Sequence, residues 1–231
     1  KKLIGMSPVM ERLREDILDL GQADGHVLID GGTGTGKTLA FGLPLMEHLL
    51  GLHGKPEPKT ARALILAPTR ELVNQIADNL RVFSNSTPVK ITTVVGGQSI
   101  GRQISVLSRG TDILVATPGR LLDLIEQRAL HLRDVEIFVL DEADQMLNMG
   151  FQEDVEKVMK NVESACSTKV QFLLFSATVP HWVKEVARKY LSKDYKFIDL
   201  VKDLKNKTSK TVQHLAINCP YFNRTSTLAD V

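Results

Sequence analysis

Cysteine is scarce in this chain, which contains two in 231 residues. Cys166 and Cys219 show no metal-ligand spacing, and two cysteines do not make a disulfide framework. The six histidines are scattered, and we interpret them as surface or packing residues. The longest apolar runs, such as 172–175, are far too short to span a bilayer, and residues 1–5 lack the apolar core of a signal peptide. We therefore predict an intracellular protein without a membrane segment.

Charge of one sign is not in excess, since 29 Lys and Arg residues face 27 Asp and Glu residues and the net charge is +2. No basic block is present, so any nucleic acid would have to be held by local groups. The composition, with 43% hydrophobic and 24% charged residues, is ordinary for a globular protein. The length allows one large domain or two small ones.

A glycine-rich loop of the form G-x-x-x-x-G-K-[ST] occupies residues 31–38. The apolar run 27–29 predicts a strand before it, and 39–50 predicts a helix after it, which is the context in which this pattern holds phosphates. We expect Lys37 to reach the β and γ phosphates and the Thr38 hydroxyl to ligate Mg²⁺. The alternative, a glycine-rich turn with an incidental lysine, fits these flanks poorly. The predicted nucleotide contacts are Gly32, Thr33, Gly34, Thr35, Gly36, Lys37 and Thr38.

Strand-like and helix-like segments alternate through the rest of the chain, as in 63–67 and 70–83. This alternation predicts an α/β fold, with a mostly parallel sheet and helices on both faces. Ligands collect at the carboxyl ends of such strands. Chemically unusual residues follow six predicted strands, at 31–38, 68–71, 96–97, 117–120, 141–144 and 176–178.

Asp141 and Glu142 follow the apolar strand 137–140, as a Walker B pair does. We expect Asp141 to hold Mg²⁺ and Glu142 to orient and help deprotonate the attacking water. Adjacent carboxylates repel each other unless a cation is bound, which agrees with a metal site. The alternative is that these acids only favour a helix N-terminus through its dipole.

Arg70 and Arg120 each begin a predicted helix after a strand, where guanidinium and backbone N–H groups can bind phosphates. Together with the glycines at 96–97, they could hold a nucleic-acid strand by its sugar–phosphate chain. The residues alone support equally well an alternative in which the arginines merely pair with Glu71 and Asp123.

The motifs resemble those of one family, since from about residue 31 the chain looks like the first RecA-like domain of a DEAD-box ATP-dependent RNA helicase. Segments 34–38, 68–72, 96–97, 117–120, 141–144 and 176–178 resemble motifs I, Ia, GG, Ib, II and III in order. The resemblance implies a P-loop NTPase fold, ATP and Mg²⁺ as cofactors, and RNA as partner. The implied RNA contacts are Pro68, Thr69, Arg70, Gly97, Thr117, Pro118, Gly119 and Arg120. The implied coupling residues are Ser176, Ala177 and Thr178.

The first 30 residues depart from this pattern, because no Q motif with an adenine-reading glutamine precedes motif I. Residues 3–10 and 27–31 instead resemble the entry to the AAA+ domain of bacterial enhancer-binding activators. In that resemblance Ile4 and Gly5 lie against the nucleotide base. We hypothesise a chimera with a foreign segment 1–30, and the alternative is a diverged helicase that lost its Q motif.

The predicted division of the chain is an atypical segment 1–30, an ATP-binding helicase domain 31–201, and a linker with the start of a second RecA-like domain, otherwise missing, at 202–231. The resemblance implies coupling of Mg-ATP hydrolysis to RNA binding and duplex unwinding, with weak hydrolysis and no unwinding by this domain alone. It also implies a nucleolar or cytoplasmic location. The alternatives are an AAA+-type ATPase acting on protein and an engineered α/β scaffold with little activity.

Overall fold

The computed structural model describes residues 27–30, 37–166 and 168–199, together with 219, 220, 224 and 227. The chain divides into two compact units, Lys1–Val201 and Lys202–Val231. In the second unit, the Cys219 Sγ lies 3.0 Å from the Thr227 Oγ1. Residues 1–26 of the predicted atypical segment and most of the predicted linker and domain start at 202–231 lie outside the described residues, so the predicted roles of both chain ends remain predictions.

The described strands form one sheet in the first unit. They are β1 (Val27–Asp30), β2 (Ala61–Leu66), β3 (Ile91–Val94), β4 (Thr111–Ala116), β5 (Ile137–Leu140), β6 (Gln171–Ser176) and β7 (Lys196–Asp199). Their order across the sheet is β3-β4-β2-β5-β6-β1-β7, and every pairing among them is parallel. The predicted α/β fold is therefore confirmed, and the described sheet is wholly parallel.

Helices cover both faces of this sheet. They are α1 (Lys37–Gly51), α2 (Arg70–Ser84), α3 (Ile100–Leu107), α4 (Pro118–Glu126), α5 (Ala143–Asn148), α6 (Gln152–Ala165) and α7 (His181–Tyr190). Apolar residues of α1 and α2 belong to one core cluster, and those of α3 to α7 belong to the other. No helix in the described ranges is long and apolar enough to cross a membrane.

Strand β2 shows how the two cores are built. Side chains alternate across a strand, so Leu64 and Leu66 enter one core while Ala63 and Ile65 enter the other, and all four are fully buried. A strand covered on both faces is apolar at consecutive positions, as the sequence run indicated. Each leucine or isoleucine buried in this way stabilises the fold by about 1.5–3 kcal/mol relative to an exposed position.

Two helices near the strand ends differ from the sequence prediction. Helix α4 begins at Pro118 and not at Arg120, where the sequence placed its start, because a proline in the first turn gives up an N–H that has no partner within the helix. Helix α5 was not predicted, since its six residues are too few to show a helical period. In both cases, motif residues that were expected to lie in loops are part of a helix.

Gly110 provides a test of the turn between α3 and β4. Its φ is +70°, and a Cβ there would lie 2.2 Å from the backbone oxygen of Glu57. The left-handed conformation costs a non-glycine residue about 1–2 kcal/mol, and the overlap with a backbone atom adds to that. We expect Gly110→Ala to lower the free energy of unfolding by at least about 2 kcal/mol in urea denaturation.

Gly51 supplies the matched control. It is the last residue of α1, and a Cβ there would meet no atom within 4 Å. Because alanine favours the helix more than glycine does, Gly51→Ala should leave stability equal or slightly raised. A Gly110→Ala variant as stable as the parent would show that the turn can relax around the added methyl group.

Candidate functional site

The carboxyl ends of all described strands lie at one edge of the sheet, because every pairing is parallel. This edge carries five predicted motifs, at 68–71, 96–97, 117–120, 141–144 and 176–178, and α1 starts beside it after β1. The strand order separates them into two groups. We call the groups the acidic half (Lys37, Thr38, Asp141, Glu142, Asp144, Ser176 and Thr178, at β5-β6-β1) and the arginine half (Arg70, Gly97, Thr117, Pro118, Gly119 and Arg120, at β3-β4-β2).

Part of the predicted nucleotide site cannot be placed, because it lies outside the described residues. These positions are Ile4, Gly5, Gly32, Thr33, Gly34, Thr35 and Gly36. Lys37 and Thr38 are described, and they form the start of α1. The predicted helix after the loop is therefore present, beginning at the lysine.

A buried lysine and two carboxylates meet in the acidic half. Lys37 is 7% exposed, and its Nζ lies 3.9 Å from Glu142 Oε1. Asp141, at the end of β5, is 5% exposed. Burial raises the pKa of Asp141 to about 6, the adjacent Glu142 charge adds to that rise, and Lys37 opposes it. A carboxylate in this environment is stabilised by taking up a proton or a cation.

The ligand atoms here suit a hard divalent cation. The Asp141 carboxylate and the Thr38 hydroxyl offer oxygen, which Mg²⁺ prefers. Within the described ranges, no group of three or more His, Cys, Asp or Glu side chains is arranged to hold a metal ion. A Mg²⁺ ion at this place would therefore take most of its ligands from water and from substrate phosphates, as Mg²⁺ commonly does.

Glu142 adopts a backbone conformation that is unusual for its type. Its φ and ψ are 54° and 49°, in the left-handed region, and it caps the N-terminus of α5. Its N–H donates a 3.0 Å hydrogen bond to Asp141 Oδ1. Such a conformation costs a non-glycine residue about 1–3 kcal/mol and is concentrated at functional sites. The strain is thus localised between the two carboxylates that the sequence marked as catalytic.

Asp144 joins two motifs. Its N–H donates to Ser176 Oγ at 3.1 Å, and the Thr178 hydroxyl donates to Asp144 Oδ2 at 2.8 Å. Partial burial raises the pKa of Asp144, but hydrogen bonds from Thr178 and Ser176 outweigh it and hold that pKa below its ordinary value. Asp144 therefore remains an ionised acceptor, and it ties the start of α5 to the end of β6.

Arg70 and Gly97 are in direct contact in the arginine half. Gly97 has a φ of +74°, and a Cβ there would lie 3.0 Å from Arg70 Nη1. Its left-handed conformation favours glycine at this position, and a larger residue would also press on the end of the Arg70 side chain. Arg70 begins α2, whose N-cap is Thr69, and the Thr69 hydroxyl accepts the Leu72 N–H at 3.2 Å.

Arg120 is held by groups on two other segments. Its Nη1 donates to the Gln98 backbone oxygen at 3.0 Å and to Gln103 Oε1 at 3.2 Å. Its Nε lies 3.6 Å from Asp123 Oδ2 and is buried without a hydrogen-bond partner. The pairing with Asp123 that the sequence left open is therefore present as a loose ion pair. Within the described residues, no ion pair joins Arg70 to Glu71.

The sequence analysis did not identify Gln103 as a site residue. It is 6% exposed, and its Nε2 donates to the Val95 backbone oxygen at 3.0 Å while its Oε1 accepts from Arg120. It thereby links the segment after β3 to the start of α4. The available signal was a polar residue on the buried face of a predicted helix, one turn before Leu107.

A cavity of about 610 Å³ lies at the opposite ends of the strands and contains none of the predicted site residues. Its wall includes Phe41, Leu45 and Phe175, together with His48 and Glu136. The His48 Nε2 lies 2.7 Å from Glu136 Oε2. The cavity shares α1 with the acidic half, and its wall extends along that helix from Ala40 to His48.

Comparison with known proteins gives a consistent set of relatives. A family model described as DEAD/DEAH box helicase matches residues 11–186. The chain is 42% identical over 229 residues to DEAD-box ATP-dependent RNA helicase 7 of Arabidopsis thaliana, covering 92% of this chain and 34% of the relative. It is 44% identical over 204 residues to Nucleolar RNA helicase 2 of Rattus norvegicus, covering 86% of this chain and 25% of the relative.

Solved structures agree with these sequence matches. The yeast DEAD-box splicing factor Prp28 superposes with a TM-score of 0.75 at 34% identity, covering 85% of this chain and 46% of that one. A DEAD box protein from Methanococcus jannaschii gives a TM-score of 0.70 at 37% identity, covering 85% and 55%. The chain spans about a third or less of the curated relatives' length.

The chimera hypothesis is not supported by these comparisons. The family match begins at residue 11 and continues without a break across residues 30 and 31, where the hypothesis placed a junction. A short amphipathic helix and an apolar strand ahead of a phosphate loop satisfy general packing requirements, so they discriminate poorly between families. The resemblance of 3–10 and 27–31 to AAA+ activators rested on that weak signal.

The raised pKa of Asp141 predicts an unusual dependence of stability on pH. The pKa of Asp141 is about 6 in the folded protein against 3.8 for an ordinary aspartate, so stability falls as pH rises between these values and stays lower above them. Asparagine keeps an acceptor for the Glu142 N–H without the charge. In Mg²⁺-free buffer at pH 8, we expect Asp141→Asn to raise the free energy of unfolding by up to about 3 kcal/mol.

The gain should disappear as the pH approaches about 4, which urea denaturation at several pH values will measure. Asp78→Asn serves as the control, since the Asp78 side chain is 72% exposed. If the free energies of unfolding of Asp141→Asn and the parent differ by the same amount from pH 4 to pH 8, the raised pKa of the buried Asp141 carboxyl is contradicted.

Proposed function

The chain belongs to the DEAD/DEAH box helicase family, and we propose that it is the ATP-binding and RNA-contacting domain of an RNA helicase. The observation that carries this proposal is the juxtaposition at one sheet edge of two different groups. Lys37 and the buried Asp141 provide charges for a metal-bound nucleotide, and Arg70 and Arg120 provide guanidinium groups for a sugar–phosphate chain.

In the acidic half, each described residue has a distinct role in nucleotide binding. Lys37 would neutralise phosphate charge, and Thr38 and Asp141 would hold Mg²⁺, which would supply charge screening and polarisation of the phosphates. Glu142 orients the attacking water and accepts its proton. Its carboxylate lies near Lys37, so the water would be placed beside the phosphates that the lysine holds. Residues 32–36, which lie outside the described part of the chain, would complete the phosphate loop by their sequence pattern.

In the arginine half, the ligand is an RNA backbone. Arg70 and Arg120 contact phosphates, together with the starts of α2 and α4 at 68–69 and 117–119, and Gly97 permits close approach of the strand. These contacts carry no base information, so binding is independent of sequence. Gln103 accepts from Nη1 and so holds the Arg120 guanidinium in place, while the buried Arg120 Nε has no hydrogen-bond partner.

Coupling between the halves runs through Ser176, Ala177 and Thr178. Two of these residues are hydrogen-bonded to Asp144 of the acidic half. The domain thus joins Mg-ATP binding and hydrolysis to RNA binding. Because the relatives are much longer, we assign duplex unwinding only to a protein that also supplies a second RecA-like domain, and we expect weak hydrolysis from this chain alone. The contact of Ile4 and Gly5 with the base and a nucleolar or cytoplasmic location remain predictions.

Nucleotide binding tests the acidic half. A fluorescent ADP analogue should bind in the presence of Mg²⁺, and Lys37→Ala should weaken binding at least about tenfold because the phosphates lose their cation. Lys157→Ala, an exposed position on α6, is the matched control and should bind as the parent does. No measurable binding by the parent would favour the scaffold alternative.

Competition by ATP and by GTP in the same assay tests base recognition. Stronger competition by ATP would mean that an adenine pocket exists without a Q motif. Equal competition would mean that phosphate contacts dominate, which the absence of the Q motif favours. Either result leaves the phosphate site in place, since that depends on Lys37.

RNA binding tests the arginine half. Fluorescence anisotropy with a single-stranded RNA should show weaker binding by Arg70→Gln and by Arg120→Gln, by about 1–2 kcal/mol each, with a smaller dependence on salt. Arg188→Gln removes an equal charge from the exposed side of α7 and should have little effect. Equal losses for all three variants would indicate attraction by net charge and not by a site.

A further inference from the structure

A single residue of α6 holds α7 at both of its ends. The Trp182 indole N–H donates to Glu156 Oε1 at 3.1 Å, and the Lys189 ammonium donates to Glu156 Oε2 at 3.3 Å. The Tyr190 hydroxyl donates to the Glu156 backbone oxygen at 3.4 Å. The Trp182 contact is the first of these along α7, and we call it the Glu156–Trp182 strut. It joins α6 to α7, and neither of its two residues belongs to either half of the site.

The strut closes a ring of contacts that includes the acidic half. From Asp144, the chain runs along α5 and through a short turn into α6, where the Phe151 N–H donates to the Met146 backbone oxygen at 3.0 Å. The ring crosses from Glu156 to Trp182 at the start of α7 and returns through 178–181 to Thr178. Thr178 completes it with its 2.8 Å bond to Asp144.

We infer that the Glu156–Trp182 strut is a positioning contact, which sets where the 176–180 segment lies over α5 and so keeps the Thr178 hydroxyl on Asp144. The inference rests on the proposed function for its meaning, because motif III is where we place coupling between nucleotide and RNA. Trp182 and Glu156 touch neither ligand in that proposal, and they act only through Thr178.

The indole suits this role because it combines two properties. Its ring is 4% exposed and belongs to the core cluster, which anchors α7, while its N–H forms a directed bond to a carboxylate. The Trp182 bond is the largest influence on Glu156, and it lowers the pKa of that carboxyl. Phenylalanine keeps an aromatic ring in most of this core space without donating, so Trp182→Phe removes the strut and leaves a small cavity.

Variants of Glu156 separate the strut from the neighbouring contacts. Glu156→Met has a similar volume but no acceptor, so it should behave like Trp182→Phe. Glu156→Gln keeps a carbonyl oxygen for the indole N–H, so it should restore nearly parental behaviour. Lys189→Ala removes the exposed ion pair of the same carboxylate and the contact of the Lys189 ammonium with the Tyr190 ring, but it leaves the strut, so it is the matched control.

Hydrogen exchange on the complete chain, without nucleotide or RNA, provides the measurement. We expect the amides of 177–179 to exchange at least about tenfold faster in Trp182→Phe and Glu156→Met, while amides of β2 and β4 keep their protection. Trp182 is the only tryptophan in the chain, so its indole N–H gives one resonance to monitor. That resonance should also move in Thr178→Val, which breaks the ring from the other side.

Unchanged exchange at 177–179 in both strut variants would overturn the inference, and so would faster exchange spread equally over the whole sheet. If Trp182→Phe folds poorly, Glu156→Met decides the matter, since Glu156 is partly exposed. These readouts need no ligand, so their failure is separate from failure of the nucleotide and RNA assays. Coupling can be measured as the ratio of the nucleotide affinity with RNA to the nucleotide affinity without RNA. In the strut variants this ratio should move towards one.

Discussion

Burial of the Asp141 carboxylate at the end of β5 imposes the main electrostatic constraint on this molecule. Lys37 opposes the resulting rise in pKa, and the Glu142 N–H donates to the carboxylate, yet the charge remains unfavourable by itself. The strained turn at Glu142 adds a second local cost at the same place. A cation with its phosphate ligands relieves the first of these, so the fold is most stable with respect to this group when the proposed ligand is present.

A residue outside the recognised motifs, Gln103, organises the arginine half of the site, and a motif residue, Asp144, organises the acidic half. Gln103 spans from Val95 to Arg120 in the arginine half, and Asp144 spans from Ser176 to Thr178 in the acidic half. Each of these side chains connects the segments that follow two neighbouring strands, so one hydrogen-bonded group fixes both segments. In each half, hydrogen bonds that depend on the tertiary fold hold motif residues in place.

The sequence predicted the architecture because apolar runs and helical periods are local properties. β2 and α7 follow directly from such patterns, and parallel pairing follows from their alternation. Three features could not be predicted for physical reasons. The left-handed Glu142 has no local signature in a non-glycine residue, α5 is too short to show a period, and the partners of Arg120 come from segments distant in sequence. The chimera hypothesis was not supported because it relied on a short segment whose pattern many P-loop domains share.

The position of β1 in the sheet has a consequence for the order of folding during synthesis. β1 lies between β6 and β7, the last strands of the described sheet, while β3, β4, β2 and β5 pair with one another. A nascent chain emerging from the ribosome can therefore assemble the arginine half while β1 still lacks both neighbours. The strand that leads into the phosphate loop can join the rest of the sheet only after β6, at residues 171–176, has been made, so the nucleotide site forms late in synthesis.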